Sequence, residues 1–130
     1  MPEKDNKIGQ RRTQQREVLL EIIKKAVGPL SVNDIHQQAE EQGYSIGIAT
    51  VYRTIKLLLS SNIIQAVTLP DGQARYEPAE LGHHHHFHCT KCSMVIDIDK
   101  CCMHLHENEV DGHLIESHEI TLFGICNNCR

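Results

Sequence analysis

The chain has 130 residues and a formal net charge of −4, from 13 Lys and Arg against 17 Asp and Glu. This length suits one compact domain or two very small ones, and no apolar run is long enough to span a bilayer. Because the N-terminal segment MPEKDNKIGQRR is polar throughout, we expect no secretory leader, no membrane partner and a cytoplasmic location.

The charge is distributed unevenly along the chain. Residues 1–78 contain ten Lys and Arg and nine Asp and Glu, whereas residues 79–130 contain three and eight, together with nine of the ten histidines. If nucleic acid is bound, the first part is the one that binds it. The second part suits metal cations.

A first helix is predicted from about Thr13 to Ala26. Gly28 and Pro29 then stop it. Apolar residues recur on one face at helical spacing, and they are Val18, Leu19, Ile22, Ile23 and Ala26.

Two further helices are predicted before residue 63. The second begins at Ser31, an N-cap residue followed by Asp34 three positions later, and ends at Gly43. The third begins near Ile48, and Asn62 is suited to a left-handed C-cap.

The pattern then changes to a hairpin. IIQAVTL is β-branched and apolar, PDGQ predicts a turn, and ARYE is again extended. Three short helices followed by a hairpin predict a winged helix-turn-helix, and the alternative is any other small α+β domain. The third helix carries polar residues that favour DNA binding, namely Thr50, Tyr52, Arg53 and Lys56.

The predicted organisation is α+β, with a DNA-binding domain at 1–78, a hinge at 79–82 and a metal-binding dimerisation domain at 83–130. In the last domain HFHCTKCSMVIDI alternates like a strand. Residues 99–110 are predicted as a short helix, and HLIESHEITLFGIC as one or two strands.

Four of the six cysteines form two C-x-x-C pairs, at Cys89 and Cys92 and at Cys126 and Cys129. In a reducing compartment this spacing favours zinc over disulfides, and each pair can hold one side of a tetrahedral ion. Four protein ligands close the site, so we expect a structural Zn²⁺ without catalysis. Disulfides and simple packing cysteines are the alternatives.

The segment HHHHFHCTKC at 83–92 supplies histidines to two faces. In a strand, alternate residues share a face, so His84, His86 and His88 would lie opposite His83 and His85. Glu77 and Asp97 could add carboxylates to one set, and two His with two carboxylates suit Fe²⁺, Mn²⁺ or Zn²⁺. Candidates to complete the other set are His104, His106, His113 and His118. The alternative is an affinity tag.

Five segments together resemble the ferric uptake regulator (Fur) family from end to end, which includes iron, zinc, manganese, nickel and peroxide sensors. In chain order they are RTQQRE, IGIATVYRTIKLL, RYE, HHHHFHCTKC and HEITLFGICNNC. The resemblance implies a transcriptional repressor of metal-homeostasis genes. It implies a homodimer that binds a palindromic double-stranded DNA operator when loaded with metal and releases it when metal is scarce.

The resemblance also implies roles for residues on the DNA-binding side. Tyr52 is expected to contact thymine methyl groups, and Arg53 to contact backbone or base. Thr50 lies on the same helix. Arg11, placed just ahead of the predicted first helix, is expected to reach toward the minor groove.

Three metal sites follow from the resemblance. The structural Zn²⁺ site takes the four C-x-x-C cysteines. A regulatory site for Fe²⁺ or Zn²⁺, with Mn²⁺ as a third candidate, takes Glu77, His84, His86 and Asp97. An additional site takes His83, His85 and His118, with His104 where the family usually has glutamate.

The sequence departs from the family at several positions. Pro29 occupies a position where many members have a ligand histidine. Cys101, a candidate extra ligand, would shift preference toward zinc. Asp97 fits the peroxide sensors, which nevertheless rely on the histidine that Pro29 replaces, so peroxide sensing is an alternative.

Two other classes of function compete with regulation. A zinc hydrolase would need an activated water and a substrate pocket, for which the chain has little length left beside the winged helix. A metal-storage module would bind metal without changing any DNA affinity. We therefore predict a regulator with no enzyme activity and no small organic substrate.

Overall fold

The computed structural model describes residues 2–99 and 109–130, with side chains for 10–99 and 109–130. The helices are α1 (Pro2–Lys25), α2 (Val32–Glu41) and α3 (Ile48–Ser60), and the strands are β1 (Ile64–Thr68), β2 (Ala74–Pro78), β3 (His85–Cys89), β4 (Val95–Ile98), β5 (Glu109–Val110), β6 (His113–Leu114) and β7 (Thr121–Gly124). The chain forms two compact units, Met1–Glu80 and Leu81–Arg130. The division falls inside the predicted hinge, whose bounds at 79 and 82 stay predictions.

The first helix is longer than predicted. It begins at Pro2 and not near Thr13, and it ends at Lys25. The prediction followed the apolar stripe alone, which starts at Val18. Upstream of that stripe the segment is rich in Glu, Lys, Gln and Arg, which have high helix propensity without an apolar face.

The second helix begins as predicted. The Ser31 hydroxyl accepts a hydrogen bond from the Asp34 N–H at 3.1 Å, and the Asp34 carboxylate accepts one from the Ser31 N–H at 3.1 Å. This reciprocal capping box satisfies two N–H groups that the helix leaves unpaired. Gly43 follows with a φ of +88°, which a residue without Cβ adopts without strain.

The third helix and the hairpin complete a winged helix. Asn62 has a φ of +57° just after α3, as its predicted C-cap role requires. β1 and β2 pair antiparallel, and Leu30 exchanges backbone hydrogen bonds with Tyr76 of β2 at 3.0 and 2.8 Å. The hairpin is thereby tied to the segment between α1 and α2.

One apolar core lies inside the N-terminal unit. It is built from the inward faces of the three helices, from Ile46 in the loop before α3, and from β1. Its residues are Leu19, Ile22, Ile23, Val32, Ile35, Ala39, Ile46, Val51, Ile55, Leu58 and Ile64. Burying such a set stabilises the unit by roughly 1.5–3 kcal/mol per large side chain before entropy is counted. The core holds α3 with its polar face outward.

The C-terminal unit contains small sheets. β3 lies in the middle of a three-stranded sheet, antiparallel to β4 and parallel to β7. The stretch expected to alternate as one strand is therefore two strands, because residues 90–94 turn between them. That turn contains Ser93 with a φ of +64°.

The remaining strands form a second hairpin. β5 pairs with β6 across Asp111 and Gly112, both at positive φ, which matches the tight turns that join two short strands. The predicted helix at 99–110 is wrong at its end, since Glu109–Val110 is strand. Residues 100–108 lie outside the described residues.

Within the described ranges, no helix is both long enough and apolar enough to cross a membrane.

Candidate metal centres and the outer face of α3

The four C-x-x-C cysteines come together in the C-terminal unit. Cys89 ends β3, Cys92 lies in the turn after it, and Cys126 and Cys129 follow β7. Their sulfur atoms all lie within 4.8 Å of one another. The parallel pairing of β3 with β7 causes this convergence, because it brings the ends of both strands to one edge of the sheet.

Backbone amides point at one of these sulfurs. The N–H groups of Cys126 and Cys92 donate to the Cys89 sulfur at 3.4 and 3.5 Å. These hydrogen bonds, with that of Cys126 the larger, lower the pKa of Cys89 to about 6. The side-chain hydrogen bond with Cys126 instead raises the pKa of Cys129 to about 12. The backbone N–H groups thus stabilise the thiolate of Cys89. Deprotonation of the other cysteines would place several negative charges together, and a bound cation would neutralise them.

The geometry of the cluster fits zinc. The sulfurs of Cys92 and Cys126 are 3.8 Å apart, and two sulfurs bound at roughly 2.3 Å to one tetrahedral zinc lie about 3.8 Å apart. A disulfide would need about 2.0 Å, and all four cysteines are free. Four sulfur donors leave no coordination position for a substrate.

A second cluster combines two histidines with a carboxylate. The Asp97 Oδ1 atom lies 3.5 Å from Nε2 of His86 and 3.9 Å from Nε2 of His84. His86 and Asp97 are register partners across β3 and β4, so sheet pairing positions both. Ligand atoms on one ion at roughly 2.0–2.2 Å lie about 3–3.5 Å apart, and this cluster needs only a small contraction.

The backbone orients one ligand of this cluster. The Nδ1 atom of His84 lies 2.7 Å from the carbonyl oxygen of Gly82, which can only accept, so Nδ1 carries the proton. A neutral His84 then has its lone pair on Nε2, the atom that faces Asp97. Hydrogen bonds of this kind fix the tautomer of metal-binding histidines.

Glu77 lies in the N-terminal unit, near the end of β2. Its side chain is 2% exposed, and its Oε1 atom accepts a hydrogen bond from the Gln65 side chain at 2.9 Å. A buried carboxylate is stable only when it is paired with donors or a cation. Its assignment to the regulatory site stays a prediction.

A third cluster contains three histidines and lies in the C-terminal unit. Ligand atoms of His83, His85 and His118 all lie within 4.8 Å of one another, with ring centroids 4.5 to 5.2 Å apart. Burial, and then the neighbouring imidazoles, lower the pKa of His85, which favours the neutral form that binds metal. Imidazole donors suit zinc more than manganese.

One hydrogen bond couples this cluster to the segment before β7. The Ile120 N–H donates to Nδ1 of His85 at 3.2 Å, which occupies the lone pair on that nitrogen. An ion at this cluster must therefore displace the Ile120 N–H or take Nε2 after its proton has left.

Alternation along the histidine run correctly separated the two clusters, but it placed His88 with His84 and His86. In the structure His88 belongs to neither cluster and lies against Phe123, with ring centroids 5.7 Å apart. His88 lies two residues beyond His86 along β3, and its register partners are Val95 and Phe123. It is therefore further along the strand than the cluster of His84, His86 and Asp97. The predicted ligands His104 and Cys101 lie outside the described residues.

On α3, Tyr52 is 58% exposed and Arg53 is exposed. The Arg53 guanidinium donates to the Thr50 hydroxyl at 3.0 Å. Arg11 is exposed but lies within α1, not ahead of it, because the helix continues upstream of its apolar stripe. Arg12 and Arg16, which the sequence prediction did not name, lie one and five residues further along α1 and are also exposed.

Together these features define a winged-helix protein with a closed cysteine cluster and histidine-rich clusters. The profile described as the ferric uptake regulator family matches residues 7–123. The ferric uptake regulation protein of Bacillus subtilis is 31% identical over 125 residues, 91% of this chain and 84% of that protein. The chain belongs to the ferric uptake regulator family.

Solved structures of the family are similar to this chain. The Helicobacter pylori ferric uptake regulator, described as having three functional metal-binding sites, is 28% identical with a TM-score of 0.65 over 89% of this chain and 79% of its own. FurB of M. tuberculosis, described as a zinc uptake regulator, is 27% identical with a TM-score of 0.54 over 94% and 97%. Members of the family are dimeric, metal-responsive DNA-binding regulators and not enzymes.

Proposed function

We propose that this chain is a metal-dependent transcriptional repressor that binds a palindromic operator as a cytoplasmic homodimer. The observation that carries the proposal is the pairing of a closed cysteine cluster with a separate histidine–carboxylate cluster in one small unit. Thiolates bound to zinc suit a permanent structural ion. Mixed nitrogen and oxygen donors suit an exchangeable one.

The N-terminal unit supports the DNA-binding half of the proposal. The apolar core fixes α3, and the outer face of that helix presents Tyr52 and Arg53 to solvent. In helix-turn-helix proteins the second helix of the motif enters the major groove, and a two-fold dimer presents two such helices to a palindrome.

Exposed apolar residues support the homodimer. Leu114 is 71% exposed, Phe123 54% and Val110 46%, all on strands of the C-terminal unit. Exposed apolar side chains in the unit that the family resemblance assigns to dimerisation are compatible with an association surface. Sedimentation of the metal-loaded protein as a monomer at micromolar concentration would contradict the dimer.

The regulatory site is proposed to contain His84, His86 and Asp97, with Glu77 added by family resemblance. A bound divalent cation supplies positive charge that neutralises the carboxylates and joins their side chains. Because Glu77 belongs to residues 1–80 and the other three to residues 81–130, an ion held by all four would favour one arrangement of the two units. Metal and operator must then strengthen each other's binding equally.

Fe²⁺ and Zn²⁺ are the proposed regulatory metals, with Mn²⁺ third. The oxygen and imidazole donors are compatible with all three. The relative from Bacillus subtilis is described as a ferric uptake regulation protein, whereas the structurally similar FurB is described as a zinc uptake regulator. The two descriptions together leave both metals as candidates.

The test is a Glu77→Ala and His84→Ala double variant. We expect a folded protein with its structural zinc retained but with operator affinity that no longer rises with added metal. The measurement is fluorescence anisotropy with an operator selected from random duplexes, titrated with Fe²⁺ anaerobically and with Zn²⁺. His113→Ala is the matched control, since His113 is exposed and belongs to no described cluster. Wild-type metal dependence in the double variant would overturn the site assignment.

A further inference from the structure

A cleft of about 380 Å³ lies between α1 and α3 in the N-terminal unit. The first helix lines it with Arg12, Gln15 and Arg16, which share one face because they are three and four residues apart. The third helix lines it with Thr50, Arg53 and Thr54, which share one face for the same reason.

The charge in this cleft is uncompensated. It is lined by three guanidinium groups and no carboxylate. Among the described side chains none of the three arginines forms an ion pair, whereas Lys25 pairs with Glu21 and the buried Arg75 pairs with Asp71. Three cations at one concave site repel one another, and an anion placed among them would relieve that repulsion.

The donor set indicates which anion fits. Guanidinium groups bind phosphate through paired N–H donors, and the hydroxyls of Thr50 and Thr54 are further donors. Six of the seven lining residues carry a polar or charged group that can donate a hydrogen bond, and Leu57 is the exception. The chemistry therefore matches a phosphate group.

Position relates the cleft to DNA. Arg53 lines it, and the neighbouring residue Tyr52 is 58% exposed on the outer face of α3. A phosphate held here would flank the bases that α3 faces. Phosphate contacts of this kind fix the register of a protein on the duplex without reading its sequence.

We propose that this cleft binds one DNA backbone phosphate, with Arg12 and Arg16 of α1 closing over it opposite Thr54 of α3. The inference deepens the proposed function, because it assigns α1 a share in anchoring the recognition helix. A phosphate contact does not depend on base sequence, so its contribution to affinity can be measured on any duplex and no operator is needed.

The experiment compares Arg12→Gln/Arg16→Gln with Lys24→Gln/Lys25→Gln. Both variants remove two positive charges from α1, but only the first pair lines the cleft. Affinity for a random-sequence duplex is measured by anisotropy from low to moderate salt. We expect the first variant to flatten the plot of log affinity against log salt by about 1 for each bound subunit, and the control to keep the wild-type slope.

A second, more conservative variant tests the same cleft in case the double arginine variant does not fold. Thr54→Val keeps the shape of a half-buried side chain and removes its hydroxyl. It is expected to weaken binding to operator and random duplex by the same factor. A larger loss on the operator would mean that the residue reads bases, and it would overturn the phosphate assignment.

Three other results would also overturn the inference: an unchanged salt slope in the arginine variant, a slope equally reduced in the lysine control, or no wild-type binding to any duplex at low salt. Titration with inorganic phosphate separates the two sources of phosphate. Saturable binding that Arg12→Gln/Arg16→Gln abolishes would make this a free-anion site. Reduced slopes without metal-dependent operator binding would refute the proposed function and leave this inference standing.

Discussion

The two units of the chain bury different kinds of side chain, so we expect different interactions to stabilise each of them. The N-terminal unit contains the whole eleven-residue apolar core cluster. Among the described residues of the C-terminal unit, the buried side chains are Cys89, Val95, Cys126, His85 and His88, four of which are cysteine or histidine. The first unit can therefore fold by removing apolar surface from water. The described part of the second buries little apolar surface, so we expect its folding to depend on the proposed structural zinc.

This difference also bears on the proposed regulation. A unit with a full apolar core keeps its shape when the metal supply changes. A unit whose buried groups are metal donors responds to that supply, because ligand binding shifts the population of its states. In the proposed function, the DNA-binding surface lies in the N-terminal unit, and all the proposed regulatory ligands except Glu77 lie in the C-terminal unit.

The largest expected effect comes from Cys126→Ser, which removes one zinc ligand. We expect hydrogen exchange in β3 and β7 to become fast, because structural zinc supplies a large share of the folding free energy of small domains. Protection in α2 should persist. Thr90→Ala is the control, since it removes only an exposed hydroxyl contact with the Gly124 carbonyl. Unchanged zinc content and melting temperature in Cys126→Ser would refute the structural site.

The converse variant is Leu19→Ala, in the apolar core. Leu19 is fully buried, so we expect a loss of about 2–5 kcal/mol in the unfolding free energy of the N-terminal unit. Zinc retention should be unaffected. Urea denaturation measures the first quantity and mass spectrometry the second, with the exposed Val27→Ala as control. If Leu19→Ala lowered the zinc content as well as the unfolding free energy, the two units would not be stabilised independently.

A smaller effect is expected in the hairpin of the winged helix. The Asp71 carboxylate accepts hydrogen bonds at 3.1 and 2.9 Å from the guanidinium of Arg75, whose side chain is 4% exposed. Asp71→Ala leaves a buried charge with fewer acceptors, and should cost about 1–3 kcal/mol. Gln73→Ala, which removes a single 3.3 Å contact with the same group, should cost less. If the two variants lost the same unfolding free energy, the ion pair between Asp71 and Arg75 would contribute nothing to stability.

The smallest effect is a pH dependence of the chelated protein. Burial and neighbouring imidazoles lower the pKa of His85 below 6.5, so the unfolded chain takes up a proton first as pH falls. The resulting stability is present above about 6.5 and is lost below it. His85→Gln should flatten the decline in melting temperature between pH 7 and pH 5 relative to His113→Gln. An equally steep decline in both variants would mean that groups other than His85 cause the loss of stability at low pH.

Much of the fold followed from local sequence signals. The Ser31–Asp34 capping box and the positive φ of Asn62 are determined by residues that are close in the chain. The start of α1 was wrong because helix propensity without an apolar stripe carries no periodicity. The turn inside HFHCTKCSMVIDI was missed because Cys92 and Met94 look like a resumed alternation, although two consecutive polar residues, Thr90 and Lys91, interrupt it.

The candidate sites divide in a similar way. Spacing alone predicted that the four cysteines would share one site, and alternation separated His84 and His86 from His83 and His85. Neither signal predicted the Ile120 bond to His85 or the isolation of His88, which depend on the parallel pairing of β3 with β7. The arginine cleft was missed because Arg12 and Arg53 are distant in sequence and meet only when α1 packs against α3.

The most direct test of the central claim is metal content per chain, by native mass spectrometry on anaerobically prepared protein before and after mild chelation, with operator binding followed in parallel. We predict one zinc that survives chelation and one or more ions that leave, taking operator binding with them until metal is restored. A chain that retains no zinc, or that binds its operator equally well after every exchangeable ion has left, would contradict it.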